Sequence, residues 1–147
     1  METNPKRYPN RLGVVGWGMG GRWGMERYLY TIHRITGLGL AAYFLLHILV
    51  TTARAFGQES WEKWMGFLHH PVFKIAEFLV FAAFAVHGLN GIRLVLVELG
   101  YAVGRPEEPV YPYSSSLHVQ RPLMFVMMGA AAILIALGGY DLFSFSH

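Results

Sequence analysis

The sequence predicts an all-α integral membrane protein with three transmembrane helices. Three observations carry that prediction. Residues 35–53, 78–92 and 122–140 hold no formal charge over 19, 15 and 19 positions, and about 20 apolar residues cross a ~30 Å hydrocarbon core as a helix. Apolar residues make up 54% of the chain and charged residues only 14%, with a mean hydropathy of +0.35, whereas a soluble domain is about a quarter charged. Finally, 147 residues leave room for one domain, and three such stretches in so small a domain cannot all cover one another.

Taken in order, residues 1–29 read as an interfacial N-terminal segment and residues 30–147 as the membrane domain. The first helix, about 30–55, lies behind some 30 residues with no small-residue cleavage site after it, so it is not expected to be a cleaved signal. Residues 13–24, GVVGWGMGGRWG, read as an irregular strip along the membrane surface. They are not a phosphate-binding loop, because no Gly-Lys-Ser/Thr follows and no strand precedes. Within 60–70, Trp61, Trp64, Met65 and Leu68 recur at helical spacing, which predicts a short amphipathic helix on the membrane surface. The second helix, about 72–100, extends its 15-residue charge-free centre to interfacial Lys74 and Glu77 at one end and Arg93 and Glu98 at the other. Residues 105–116, RPEEPVYPYSSS, form a Pro-rich loop, and Arg121-Pro122 open the third helix, about 120–141. The chain shows no internal repeat.

The basic residues set an orientation. Lys6, Arg7, Arg11, Arg22, Arg27, Arg34, Arg93, Arg105 and Arg121 fall on one side, and only Arg54, Lys63 and Lys74 on the other. Nine against three predicts a cytoplasmic N-terminus and an external C-terminus. With no Arg- and Ser-rich transit segment, a multi-pass protein of a bacterial or archaeal cell membrane is expected. The bias explains the formal charge of +3 without any nucleic-acid partner.

The chain has no Cys, which excludes disulfides, cysteine-ligated clusters and thiol nucleophiles. A redox centre held here must hang on His or Met. His47 lies deep in the first helix and His87 deep in the second, and ionisable groups in hydrocarbon mark pathways, ligands or partners. Neutral imidazole is a natural axial ligand for haem iron. Tyr43 and Phe44 near one, and Ala83, Gly88 and Gly91 near the other, suit a flat macrocycle. His47 is 13 residues past Arg34 and His87 six residues before Arg93, depths of ~20 Å and ~9 Å. A His nitrogen ligates at ~2 Å, as in other His–metal bonds, so the two cannot share one iron. The expectation is one ligand to each of two haems. Because the third helix has no His, a second chain must complete the bundle. His33 shares a stripe with Gly37, Leu40, Phe44 and His47, and is read as an interfacial group near a haem propionate or a quinone. Arg34 beside it is suited to an anionic or carbonyl oxygen, or serves as a positive-inside charge. His69-His70 read as the end of the surface helix, His118 as a loop residue, His147 as terminal, and Met127-Met128 as packing.

Two motifs carry a resemblance. Tyr30-Thr31-Ile32-His33-Arg34-Ile35-Thr36-Gly37 with His47 14 residues after His33, and His87-Gly88-Leu89-Asn90-Gly91-Ile92-Arg93 with Glu98 and Gly100-Tyr101 beyond, resemble the cytochrome b membrane anchor of succinate dehydrogenase. The resemblance covers about residues 28–101. It implies a haem b-binding anchor of succinate:quinone oxidoreductase, respiratory complex II, which joins the tricarboxylic acid cycle to electron transport. The implied partners are a flavoprotein subunit, an iron–sulfur subunit, a second membrane anchor, quinone and lipid. By position it implies His87 as ligand of the haem nearer the cytoplasm and His47 as ligand of a distal haem. It likewise implies Arg34 at the quinone site and His33 near a propionate, with Arg93 closing the second motif on the same side. Tyr30 stands where one-haem relatives carry Ser, and Leu94 where they carry His. With no flavin motif and no Cys, the chain is not the succinate-oxidising part. The alternatives are the anchor of a quinol:fumarate reductase and a haem-free structural anchor.

Overall fold

The computed structural model describes residues 24–103 and 115–144. The surface strip before Gly24, most of the Pro-rich loop, His147, and Lys6, Arg7, Arg11, Arg22 and Arg105 lie outside the described residues. The elements are α1 (Met25–Thr52) running into a 3-10 turn (Ala53–Phe56), α2 (Gln58–Leu68), α3 (Pro71–Glu98) and α4 (Leu117–Ser144). No strand occurs among the described residues. α1 with its turn, α3 and α4 are the three spans long and apolar enough to cross a membrane, at mean hydropathies of 1.7, 1.8 and 2.1. At 28 residues each helix is ~42 Å long, so each overshoots the hydrocarbon core and carries its charges at the ends.

The helix ends follow local chemistry. α1 begins at Met25, five residues before the expected start at 30. Residues 25–29 contain no helix breaker, and Glu26 in the first turn suits the positive end of the helix dipole. α3 starts with Pro71, whose missing N–H costs nothing at the first helical position, while the His70 ring accepts from Val72 N at 3.4 Å. It ends in a Schellman turn: Tyr101 N bonds Leu96 O and Gly100 N bonds Val97 O, each at 3.0 Å. Gly100 holds the required left-handed backbone at φ 84, which carries no Cβ penalty for glycine. α4 starts at Leu117 and runs through Pro122, so His118 lies in its first turn and not in a loop. The Ser116 carbonyl accepts from Val119 and Gln120 there, and Pro122 forgoes a single backbone bond.

α3 is the central helix, packed against α1 on one side and α4 on the other. Glycines set both approaches, as is usual where helices meet without a hydrophobic drive between them. On the α1 side, a Cβ at Gly37 would sit 2.8 Å from His87 Cε1, and one at Gly91 3.7 Å from His33 Cε1. The α1–α3 pair is therefore antiparallel. On the α4 side, Phe81 lies over Gly138 and Phe78 over Gly139, and the Phe78 and Phe143 rings meet at 5.6 Å. α2 matches the expected surface helix and buries no residue; Arg54 of the preceding turn stacks on Trp61 at 4.3 Å. Only 6%, 6% and 11% of the three spans' most apolar windows are buried within the chain, which leaves most of their apolar surface open.

Candidate functional site

The polar centre of the molecule is where α1 and α3 cross. His87 Nδ1 lies 3.0 Å from the His33 carbonyl oxygen. A carbonyl only accepts, so Nδ1 is the donor in this contact, an arrangement that puts any free lone pair of the ring on Nε2. The Thr36 hydroxyl donates to the carbonyls of Ile32 (2.8 Å) and His33 (3.1 Å) and stands 3.3 Å from the same Nδ1. The His33 ring stacks on the His87 ring, centroids 4.0 Å apart and planes 5° from parallel. Its own Nδ1 is buried without a hydrogen-bond partner among the described residues.

Toward the end of the bundle that carries Glu26, Arg93 and Arg121, Asn90 is 1% exposed and Arg93 9% exposed. Arg93 Nε donates to Asn90 Oδ1 at 3.0 Å, and Asn90 Nδ2 is buried without a partner among the described residues. Glu26 of α1 and Arg121 of α4 form an ion pair at 2.7 Å, a polar clasp between the outer two helices. Arg34 donates to the Tyr30 hydroxyl, and both Arg34 and Arg27 lie over the Tyr30 ring at 5.2 and 5.6 Å. Tyr30 and Arg34 are exposed. The spacing along the chain places His33 and Arg34 together at one interface. The helix separates them: His33 turns inward onto His87, and Arg34, one residue or about 100° further round, faces outward with Tyr30.

His47 is ten residues beyond Gly37, the neighbour of His87, and therefore lies ~15 Å farther along α1. It is exposed and lines a cleft of about 1110 Å³ with Tyr43, Trp64, Phe73, Glu77 and Asp141 among its walls. That is somewhat above the ~300–1,000 Å³ of ordinary ligand pockets, and the cleft is open on one side. His87 is not on its wall. The Tyr43 hydroxyl sits 3.5 Å from His47 Nδ1. His47 and His87 are thus separate single imidazoles, and no group of three His, Cys, Asp or Glu side chains gathers among the described residues. His69 and His70 serve their own turn, His69 Nδ1 donating to Met65 O at 2.8 Å.

Two residues that matter here were not singled out by spacing. Asn90 is the lone amide in the charge-free stretch 78–92, and a buried amide in a span needs a partner; that signal was available. Thr36 carries no signal of its own, because its role exists only where α3 passes.

Residues 18–137 match the family described as succinate dehydrogenase/fumarate reductase transmembrane subunit. The succinate dehydrogenase hydrophobic membrane anchor subunit of Halobacterium salinarum is 29% identical over 95 residues, covering 62% of this chain and 73% of that one. No solved structure matches the chain.

Proposed function

The chain belongs to the succinate dehydrogenase/fumarate reductase transmembrane subunit family, and we propose that within it the protein is a haem b-binding anchor of succinate dehydrogenase. In this reading it fixes the flavoprotein and iron–sulfur subunits to the cytoplasmic face of the cell membrane and helps deliver their electrons to quinone. A second anchor chain completes the bundle over the open faces of the three helices.

The observation that carries the haem reading is the contact of His87 Nδ1 with the His33 carbonyl oxygen at 3.0 Å. With Nδ1–H given to the His33 carbonyl, Nε2 is the only nitrogen left to ligate, and such outer hydrogen bonds characterise ligating histidines. The residues present fit the group: an imidazole on α3 whose Nδ1 is engaged, and a second, His47, on the wall of a large and mostly apolar cleft. When bound, haem b supplies a one-electron carrier inside the bundle. The chain's own residues hold it and its neighbours in place. His87 and His47 each offer one ligand at different depths, and the second ligand of each comes from the other anchor. His33 and the Asn90–Arg93 pair bring buried donors and positive charge to the basic end, where a propionate or a quinone oxygen needs them. Arg34, steadied by Tyr30, presents a guanidinium at the interface to a quinone carbonyl.

The test is haem b per flavin, measured as the pyridine haemochrome on the detergent-purified assembly. Two per flavin support both ligands, with His47→Leu and His87→Leu each removing one. One per flavin removes His47 from the reading. None overturns the cytochrome assignment and leaves a structural anchor.

A further inference from the structure

We propose that α1 positions the haem ligand of α3: Thr36 and the His33 carbonyl set the tautomer of His87, and Gly37 sets where its ring stands. This rests on the reading of His87 as a ligand and adds three positioning elements to it, none of which touches the iron.

The argument starts from what a histidine on a helix can do unaided. Its ring turns about two side-chain torsions, and neutral imidazole places its proton on either nitrogen. A ligand that wanders between those states binds iron poorly and with no defined orientation. Three contacts from α1 remove the freedom. The His33 carbonyl at 3.0 Å holds the proton on Nδ1. Thr36 Oγ1, at 3.3 Å from the same nitrogen, is a second acceptor, because its own proton is committed to the Ile32 carbonyl at 2.8 Å. Gly37 leaves the slot: a Cβ there would fall 2.8 Å from His87 Cε1 and 3.3 Å from Nδ1. The ring cannot retreat from that Cβ and keep both Nδ1 contacts. Gly39, two residues on, has nothing within 4 Å of the same hypothetical atom, so the slot is specific to position 37.

The consequence is electronic as well as steric. Hydrogen bonding at the distal nitrogen makes an imidazole a stronger donor, which favours ferric over ferrous iron and lowers the reduction potential. Removing one of the two acceptors facing Nδ1–H moves the potential the other way.

The experiment uses the detergent-purified assembly carrying Gly37→Ala, Gly129→Ala, Thr36→Val, Thr36→Ser or His87→Leu. The readouts are haem b per flavin, the low-spin ferric electron paramagnetic resonance signal and the midpoint potential from a dye-mediated titration. Gly37→Ala is expected to lose one haem per flavin or to keep it with displaced g values, while Gly129→Ala, on α4 with nothing within 4 Å of its Cβ, keeps both at their wild-type values. Thr36→Val is expected to retain the haem with a more positive potential, and Thr36→Ser, which keeps the hydroxyl, to return it to the wild-type value. Wild-type content, g values and potential in both Gly37→Ala and Thr36→Val, alongside haem loss in His87→Leu, overturn the positioning role and leave the ligand standing. Full haem retention in His87→Leu overturns the ligand, and the positioning role with it.

Discussion

The packing of Phe81 of α3 over Gly138 of α4 yields a quantitative prediction. Met124, Ala131 and Gly138 are spaced seven residues apart along one seam of α4, and Met124 and Ala131 are 3% and 2% exposed. At Gly138 an added Cβ would lie 2.8 Å from Phe81 Cζ and 3.0 Å from its Cδ1, where carbon atoms prefer about 3.5–4.0 Å. Because several ring atoms are too close at once, rotation of the ring is no remedy. Phe81 must swing off the α4 surface, or the helices must part. Overpacking of this kind costs ~1–3 kcal/mol, equivalent to about 5- to 150-fold more opening of the α3–α4 seam. The absence of Cys provides the assay. Ala131→Cys introduces one buried thiol on the seam, and its rate of reaction with a maleimide in the purified assembly, read as the mass shift of this chain alone, reports opening. Gly138→Ala on that background is expected to raise the rate at least fivefold. Gly129→Ala is the control, since nothing lies within 4 Å of its Cβ, and it should lower the rate or leave it unchanged, because alanine favours the helix by ~0.5–1 kcal/mol. Equal rates for the two variants would refute the argument that Phe81 and Gly138 set the approach of α4.

Three further predictions follow from particular contacts. Asn90→Leu strips the buried Arg93 of its acceptor, and a hydrogen bond from a charged group is worth ~1.5–3 kcal/mol; the purified chain should melt at a lower temperature, with Arg93→Lys giving a similar loss because no ammonium reproduces the Nε geometry. Gly100→Ala forces a side chain into the left-handed turn that ends α3, at a cost of ~1–2 kcal/mol, and should lower the same melting temperature, whereas Gly39→Ala should not. Glu26→Gln breaks the clasp to Arg121, and because both side chains reach water the effect should be seen only at low salt. Near 1 M salt, where the Debye length is ~3 Å, wild type and variant should melt alike.

Much of this fold is legible along the chain because the membrane imposes one-dimensional rules. A span must be helical, long and apolar, so the charge-free stretches mark all three helices, and the Trp-rich spacing of 60–70 marks α2. The errors fall at the ends. Residues 25–29 extend α1 because the charge of Glu26 suits the helix dipole and does not end a helix. Leu117 to Val119 extend α4 ahead of its expected start at about 120, because a proline near the start of a helix breaks only one bond. Charge marks where hydrocarbon stops, while capping marks where the helix stops, and the two differ by several residues.

The histidines divide in the same way. By itself the sequence determined that His47 and His87 are imidazoles within spans, at different depths, in a chain without thiols; composition and rise per residue suffice for that. Only the tertiary structure decided what His87 Nδ1 faces. The carbonyl of His33, 54 positions away, stands against it at 3.0 Å, in a slot that Gly37 leaves open. The inward turn of His33 and the outward turn of Arg34 also depend on where α3 crosses α1. A hydrogen-bond partner on another helix is a property of the crossing, set by which small residues let two backbones approach, and no pattern along either helix alone encodes it.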